Sequence, residues 1–220
     1  MSFHPQAELL QAYAQGTLDD VSAFTVATHI EGCPQCQREV ALFEAECGEA
    51  LFAAPVPSQD NFDDMFNQIV SLEQNDKPFR PQRQPTYIEV NGKSFRLPLS
   101  LSRFRDQVGE WKSYGGKVFS ASVDISNDAR VSLMYITENV SIPQHTHKGL
   151  ESTLVLHGGF SDEDGHYEVG DFLLKDASIK HSPSTKVGED CLCLTVLTEP
   201  MIFTQGVARV FNLFGKGLYP

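Results

Sequence analysis

Two groups of side chains in this 220-residue chain have the types and spacing to grip a metal ion. In the first, the run His29-Ile30-Glu31-Gly32-Cys33-Pro34-Gln35-Cys36 sets two thiols three positions apart, with an imidazole four positions upstream. A C-x-x-C at a helix start turns both sulfurs to one side, and His29 closes a third corner from the end of the preceding helix. A structural zinc site is tetrahedral. His4 is the expected fourth ligand, since no other histidine precedes His145. Four protein ligands leave no place for a substrate, so this zinc would tie helices together and catalyse nothing. A redox role for the two thiols is the weaker reading, because no βαβ pattern surrounds them.

The second group is His145-Thr146-His147, with Glu151 after the Lys148-Gly149 corner and His181 further on. In an extended segment His145 and His147 point to the same face. His181, which follows a Gly170-Asp171 turn and an apolar strand, can return from a neighbouring strand. Three imidazoles and a carboxylate suit zinc, iron, manganese or nickel alike. An open position on such a metal would also support catalysis, so a metal-dependent dioxygenase or isomerase with an N-terminal zinc accessory domain stands as one reading of the chain. Cys191 and Cys193 share a strand face and are candidates for a redox role, against the plainer reading of two small core residues. His157 is too far along its strand to share the metal of Glu151, His166 is expected to be solvated, and Cys47 and Trp111 are expected to be buried.

The elements that position these groups divide the chain. Residues 1–76 hold thirteen acidic residues against the single basic Arg38, so the net charge of −12 sits on the N-terminal third. Phosphates would be repelled there, which excludes direct nucleic-acid binding by that third and favours a basic protein surface as partner. Helices are expected over Ala7–Gln15, from a Thr17 N-cap toward His29 with Gly32 as breaker, and from Pro34 to the Pro55–Pro57 pair. A fourth is expected from Asp60 or Asn61 to about Leu72, with Phe62, Met65, Phe66 and Ile69 at helical spacing as a candidate partner-binding stripe. Residues 75–86 read as a proline-bearing linker. Strands follow: Tyr87–Val90 and Ser94–Leu97 around Asn91-Gly92, then Val118–Asp124, Val131–Thr137, Ser152–Leu156, Gly170–Leu174 and Cys191–Thr198. No apolar run is long enough to span a bilayer and no signal peptide is evident, so a cytoplasmic protein is expected.

The spacing His4, His29-x-x-x-Cys33-x-x-Cys36 in an acidic helical segment resembles the zinc-binding anti-sigma domain that grips extracytoplasmic-function sigma factors. Pro143, His145, His147, Glu151 and Gly158 resemble the first cupin motif, and Gly170-Asp171 through His181 the second. Asn139 replaces the glycine that usually opens the first motif, and Asp176-Ala177-Ser178 the usual Pro-x-Gly of the second. The two together resemble the ChrR family of anti-sigma factors. That resemblance implies an α+β two-domain protein. A four-helix zinc-binding anti-sigma domain (1–74) would be followed, after the linker, by an antiparallel β cupin barrel (87–205) and a tail (206–220). It also implies that the chain is no enzyme: it would sequester its sigma factor and release it under oxidative stress of the singlet-oxygen or organic-peroxide type.

Overall fold

The computed structural model describes residues 2–53, 62–73, 84–126 and 129–213. Helix α1 (Ala7–Ala14) ends where Gly16 takes a left-handed φ of 68°. The amide of Gly16 then bonds the Tyr13 carbonyl and that of Thr17 the Ala12 carbonyl, the pairing of a Schellman cap. Thr17 therefore closes the first helix and does not open the second, contrary to the sequence expectation. The N-cap of α2 (Asp20–Gly32) is Asp19, whose carboxylate accepts from the amides of Val21 and Ser22 at 3.2 and 2.9 Å. Nor does Gly32 break that helix; it completes the last turn, and the chain turns at Cys33, where φ and ψ become extended. Pro34, which has no amide hydrogen to lose, opens α3 (Pro34–Ala53).

Helices α1, α2 and α3 bury Leu10, Val26, Cys33, Cys36 and Val40 against one another. A fourth helix, α4 (Asp63–Ser71), buries no side chain at all. The expected start of that helix at Asp60 or Asn61, the Pro55–Pro57 stop, most of the 75–86 linker and the end of the tail lie outside the described residues. Cys47, expected to be buried, is only half-buried.

The second half is built from antiparallel strands. Strands β1 (Tyr87–Val90) and β2 (Lys93–Arg96) form the expected hairpin, with positive φ at both Asn91 and Gly92. After a short helix α5 (Leu99–Ser102) come β3 (Lys112–Tyr114), β4 (Val118–Val123), β5 (Arg130–Ile136), β6 (His145–His147), β7 (Glu151–Ser161), β8 (His166–Glu168), β9 (Phe172–Lys175), β10 (Cys191–Leu197) and β11 (Met201–Phe203). The main sheet runs β3-β4-β5-β10-β7-β8, with β9 also on β7. Strands β6 and β11 pair separately, as do β1 and β2. Among the described residues, then, the expected barrel is three sheets, none closed on itself. Strand β7 runs five residues past the expected end at Leu156, because Gly158, at φ 63°, lets its backbone press against the Asp190 carbonyl, where a Cβ would collide. Trp111 is partly buried against the core of this half rather than within it.

The two halves share their cores. Phe172 of β9 packs into the helical cluster, while Val21 and Phe24 of α2 pack among Leu101, Leu133, Leu154 and Leu194. Glu31 at the end of α2 caps α5, accepting from the amides of Leu99 and Ser100 at 2.6 and 2.9 Å. A carboxylate on the unsatisfied amides of a helix start is favourable.

Two candidate metal centres

The first centre draws on three segments. The extended N-terminal residues bring in His4, α2 brings His29, and the α2–α3 corner brings Cys33 and Cys36; their donor atoms all lie within 4.8 Å of one another. His29 Nε2 is 3.3 Å from Cys36 Sγ, and His4 Nδ1 is 3.4 and 3.5 Å from the two sulfurs. Tetrahedral zinc with bonds of about 2.1 Å to nitrogen and 2.3 Å to sulfur would set such ligands ~3.6 Å apart, so the donor set fits that ion. The other nitrogen of His29 donates to the Gly170 carbonyl at 2.8 Å. A carbonyl only accepts, so Nδ1 carries the proton and Nε2 keeps a free lone pair. Burial and the neighbouring Cys33 push the Cys36 thiol up to about 12; a bound cation is what would hold such a sulfur as thiolate.

The second centre lies in the β domain. His145 and His147 alternate on β6, Glu151 opens β7, and His181 bridges back to His145 through a pair of backbone hydrogen bonds. His147 Nε2, His181 Nε2 and Glu151 Oε2 stand 3.0 to 3.5 Å apart. Those are the edge lengths, roughly 3.0 to 3.4 Å, of a polyhedron with 2.1 Å bonds. His145 Nδ1 donates to the Pro143 carbonyl at 2.9 Å and His181 Nδ1 to Asp162 at 3.3 Å, which leaves each Nε2 for a metal. His147 Nδ1 is buried with no hydrogen-bond partner among the described residues. Burial, then the field of His181, pushes His145 down to about 4. Burial acts to raise the Glu151 carboxyl, but the hydrogen bond from His147 and the surrounding imidazoles hold it below the usual carboxylate range. All four donors line a cavity of about 630 Å³, whose walls include Met134, Ile136, Ile142, Phe160, Leu197 and Met201.

The sequence reading missed the outer supports of this centre. Asp162 sits between His181, the Lys175 ammonium (3.0 Å) and the Tyr167 hydroxyl (2.9 Å). His166, expected to be solvated, is held by Ser161 at 2.9 Å and faces Glu189 at 3.4 Å. His157 is engaged elsewhere, on Phe95 and Asp190. Cys191 and Cys193 are buried with their sulfurs 3.2 Å apart, and Cys193 lines the cavity. The stripe Phe62, Met65, Phe66 and Ile69 is 60, 53, 63 and 54 % exposed.

A family model described as the ChrR Cupin-like domain matches residues 108–200, and a zinc-finger model matches residues 7–37. The anti-sigma-E factor ChrR of Cereibacter sphaeroides is 31% identical over 219 residues, covering 96% of each chain. The chain belongs to the ChrR family of anti-sigma factors. It is a member of a regulator family, not of the metal-dependent enzymes held as the alternative. A crystal structure of Rhodobacter sphaeroides SigE in complex with the anti-sigma ChrR is similar over 89% of this chain and 98% of the matched one, at 28% identity and a TM-score of 0.67. An RmlC-like cupin protein of Ralstonia eutropha overlaps 46% of this chain and 69% of its own, at 14% identity and a TM-score of 0.41, too distant to bear on function. Both departures from the cupin motifs have a local explanation in this ChrR family member. Asn139 adopts φ 53°, a left-handed conformation that asparagine tolerates in place of glycine. Asp176 closes the other turn itself, accepting from the Ser178 amide at 2.8 Å. No described helix is long and apolar enough to cross a membrane.

Proposed function

We propose that this ChrR family member sequesters an extracytoplasmic-function sigma factor in the cytoplasm through its helical region, with structural zinc on His4, His29, Cys33 and Cys36. Stress of the singlet-oxygen or organic-peroxide type would release the sigma factor through the cupin-like domain, which holds zinc or another divalent transition metal on His145, His147, Glu151 and His181. The observation that carries this reading is α4. An apolar stripe of Phe62, Met65, Phe66 and Ile69 stands in solvent on the strongly acidic third of the chain. Amphipathic helices of this kind lay their apolar face into a partner's groove, and the acidity matches a surface that otherwise meets DNA. Release by a hundredfold weakening of the complex requires a difference of about 2.7 kcal/mol between resting and stressed states.

The test is capture from native cytoplasm with the full chain as bait, beside the same chain carrying Phe66→Ser and Ile69→Ser. A sigma factor held by the first and lost from the second supports the reading. Exposing the captured complex to singlet oxygen or an organic hydroperoxide should free it. Failure of the intact bait to hold any sigma factor would refute sequestration.

A further inference from the structure

The two metal centres are joined by a continuous set of contacts. Gly170, at a left-handed φ of 92°, and Asp171 form the turn between β8 and β9. The Gly170 carbonyl accepts from His29 of the first centre at 2.8 Å. The buried Asp171 carboxylate accepts on one oxygen from the amides of Ser2 and Phe3 at 2.6 and 3.1 Å, and on the other from the Glu168 amide at 2.9 Å. Phe3 is further pinned by its own carbonyl, which accepts from the Phe172 amide at 3.0 Å. The next residue is His4, so a single turn of the β domain orients both imidazoles of the helical domain's centre.

From the same segment a second line leads to the other centre. The ring of Phe3 meets the ring of Tyr167 edge-on at 4.8 Å. The buried Tyr167 donates its hydroxyl proton to Asp162 at 2.9 Å, and Asp162 accepts from His181 at 3.3 Å. Lys175 locks Asp162 in place from the far side, bridging it to Asp164 at 3.0 and 2.7 Å. Each link between Asp162 and Phe3 is made by a side chain of β8 or of the turn that precedes it.

We propose that Asp171 and Tyr167 are positioning residues that couple the two metal centres, so that the state of the His145, His147, Glu151 and His181 cluster sets how firmly His4 and His29 hold the first. The inference rests on the reading of both clusters as metal sites and deepens the proposed release. A shift of His181 moves the carboxylate of Asp162, which moves the Tyr167 hydroxyl and the Phe3 ring that meets it edge-on; His4 follows Phe3 directly in the chain. Coupling between sites is a free energy and is reciprocal. Loss of metal from the thiol centre must therefore weaken the cupin-like centre by the same factor.

The experiment uses the full chain loaded with zinc. Alkylation of Cys33 and Cys36 is followed by peptide mass, which separates them from Cys47, Cys191 and Cys193, and zinc release is followed with a chromogenic chelator. Asp171→Asn should speed alkylation about tenfold, the low end of what outer partners of ligands contribute. Emptying the second centre with His145→Ala should speed it at least about fivefold, within the usual range of coupling between sites. Adding Tyr167→Phe, which keeps the ring against Phe3 but removes the hydroxyl, should reduce that response to less than about twofold. The last comparison separates coupling from general loosening, which a phenylalanine would not suppress. Equal alkylation rates with the second centre filled and emptied overturn the proposal, as does a response that survives Tyr167→Phe. A chain that captures no sigma factor yet keeps this coupling sinks the proposed function alone; one that captures and releases it without the coupling sinks only this inference.

Discussion

The thiol centre and the imidazole centre differ in what surrounds them more than in how tightly they gather. The first offers a full set of four protein donors, three buried and His4 half-buried, drawn from three segments of the helical region, with a hydrogen bond from His29 to the β domain. The second gathers its donors at the wall of a cavity of about 630 Å³ with largely apolar neighbours, within the size range of small-molecule sites. A closed site spends its coordination energy on holding elements together, whereas a site with an accessible face leaves its metal answerable to whatever enters. On the function proposed above, the same chain would separate a structural ion from a responsive one.

The comparison breaks most readily at the thiols. Cys33→Ser or Cys36→Ser removes a ligand from a site whose metal binding is folding energy, on the order of 10 kcal/mol in small zinc domains. The expected outcome is loss of the helical circular dichroism of α1, α2 and α3 and a lower melting temperature for the β domain, whose core takes in Val21 and Phe24 of α2. Helices that stay folded in these variants would remove the structural role of the first centre.

A smaller effect on folding is expected at the second centre. His147→Ala or Glu151→Ala should weaken its metal by at least about tenfold in a chelator competition. The β core, built on Leu133, Leu154, Leu192 and Leu194, does not depend on that metal, so the β transition should move by only a few degrees. Sigma binding should persist while release on oxidation is lost. Asp162→Asn sharpens the same point without touching a ligand. It removes the charge that orients His181 and pairs with Lys175, and should lower metal affinity between tenfold and a hundredfold. Unaltered affinity in Asp162→Asn would mean that His181 is held by its strand alone.

The donor sets were legible in the sequence because each is mostly local. Two thiols three positions apart at a helix start, or two imidazoles two positions apart on a strand, are brought together by helix and strand geometry before any tertiary contact exists. What supports them was not legible. Gly170 lies 141 positions from His29, and the link is a backbone carbonyl that no residue type announces. Asp162 lies 19 positions from His181 and reads as turn chemistry until the turn is seen folded over the imidazole. Strands β3, β8 and β11 have three residues each, too few to show a period. The Thr17 cap failed for a local reason: α2 starts two residues later, where Asp19 accepts from the amides of Val21 and Ser22, while Thr17 is already committed to the end of α1.

The smallest effect is expected at Cys191 and Cys193, the pair that the sequence offered as a redox candidate. Their sulfurs sit 3.2 Å apart in the most buried strand of the β domain. The hydrogen bond shared with Cys193 and burial raise the Cys191 thiol well above its ordinary value. The thiolate is the reactive form, so the same packing that brings the sulfurs together withholds them from oxidants. Their contribution is then to fill the wall of the cavity beside the imidazoles, where Cys193 is a lining residue. Replacing both by alanine should leave release of the sigma factor within about twofold of the parent and cost about 1 to 2 kcal/mol of stability through lost packing. A response abolished in that double variant, with metal content and melting unchanged, would restore the thiols as part of the sensor and place the responsive chemistry of the second centre on sulfur as well as on its ligands.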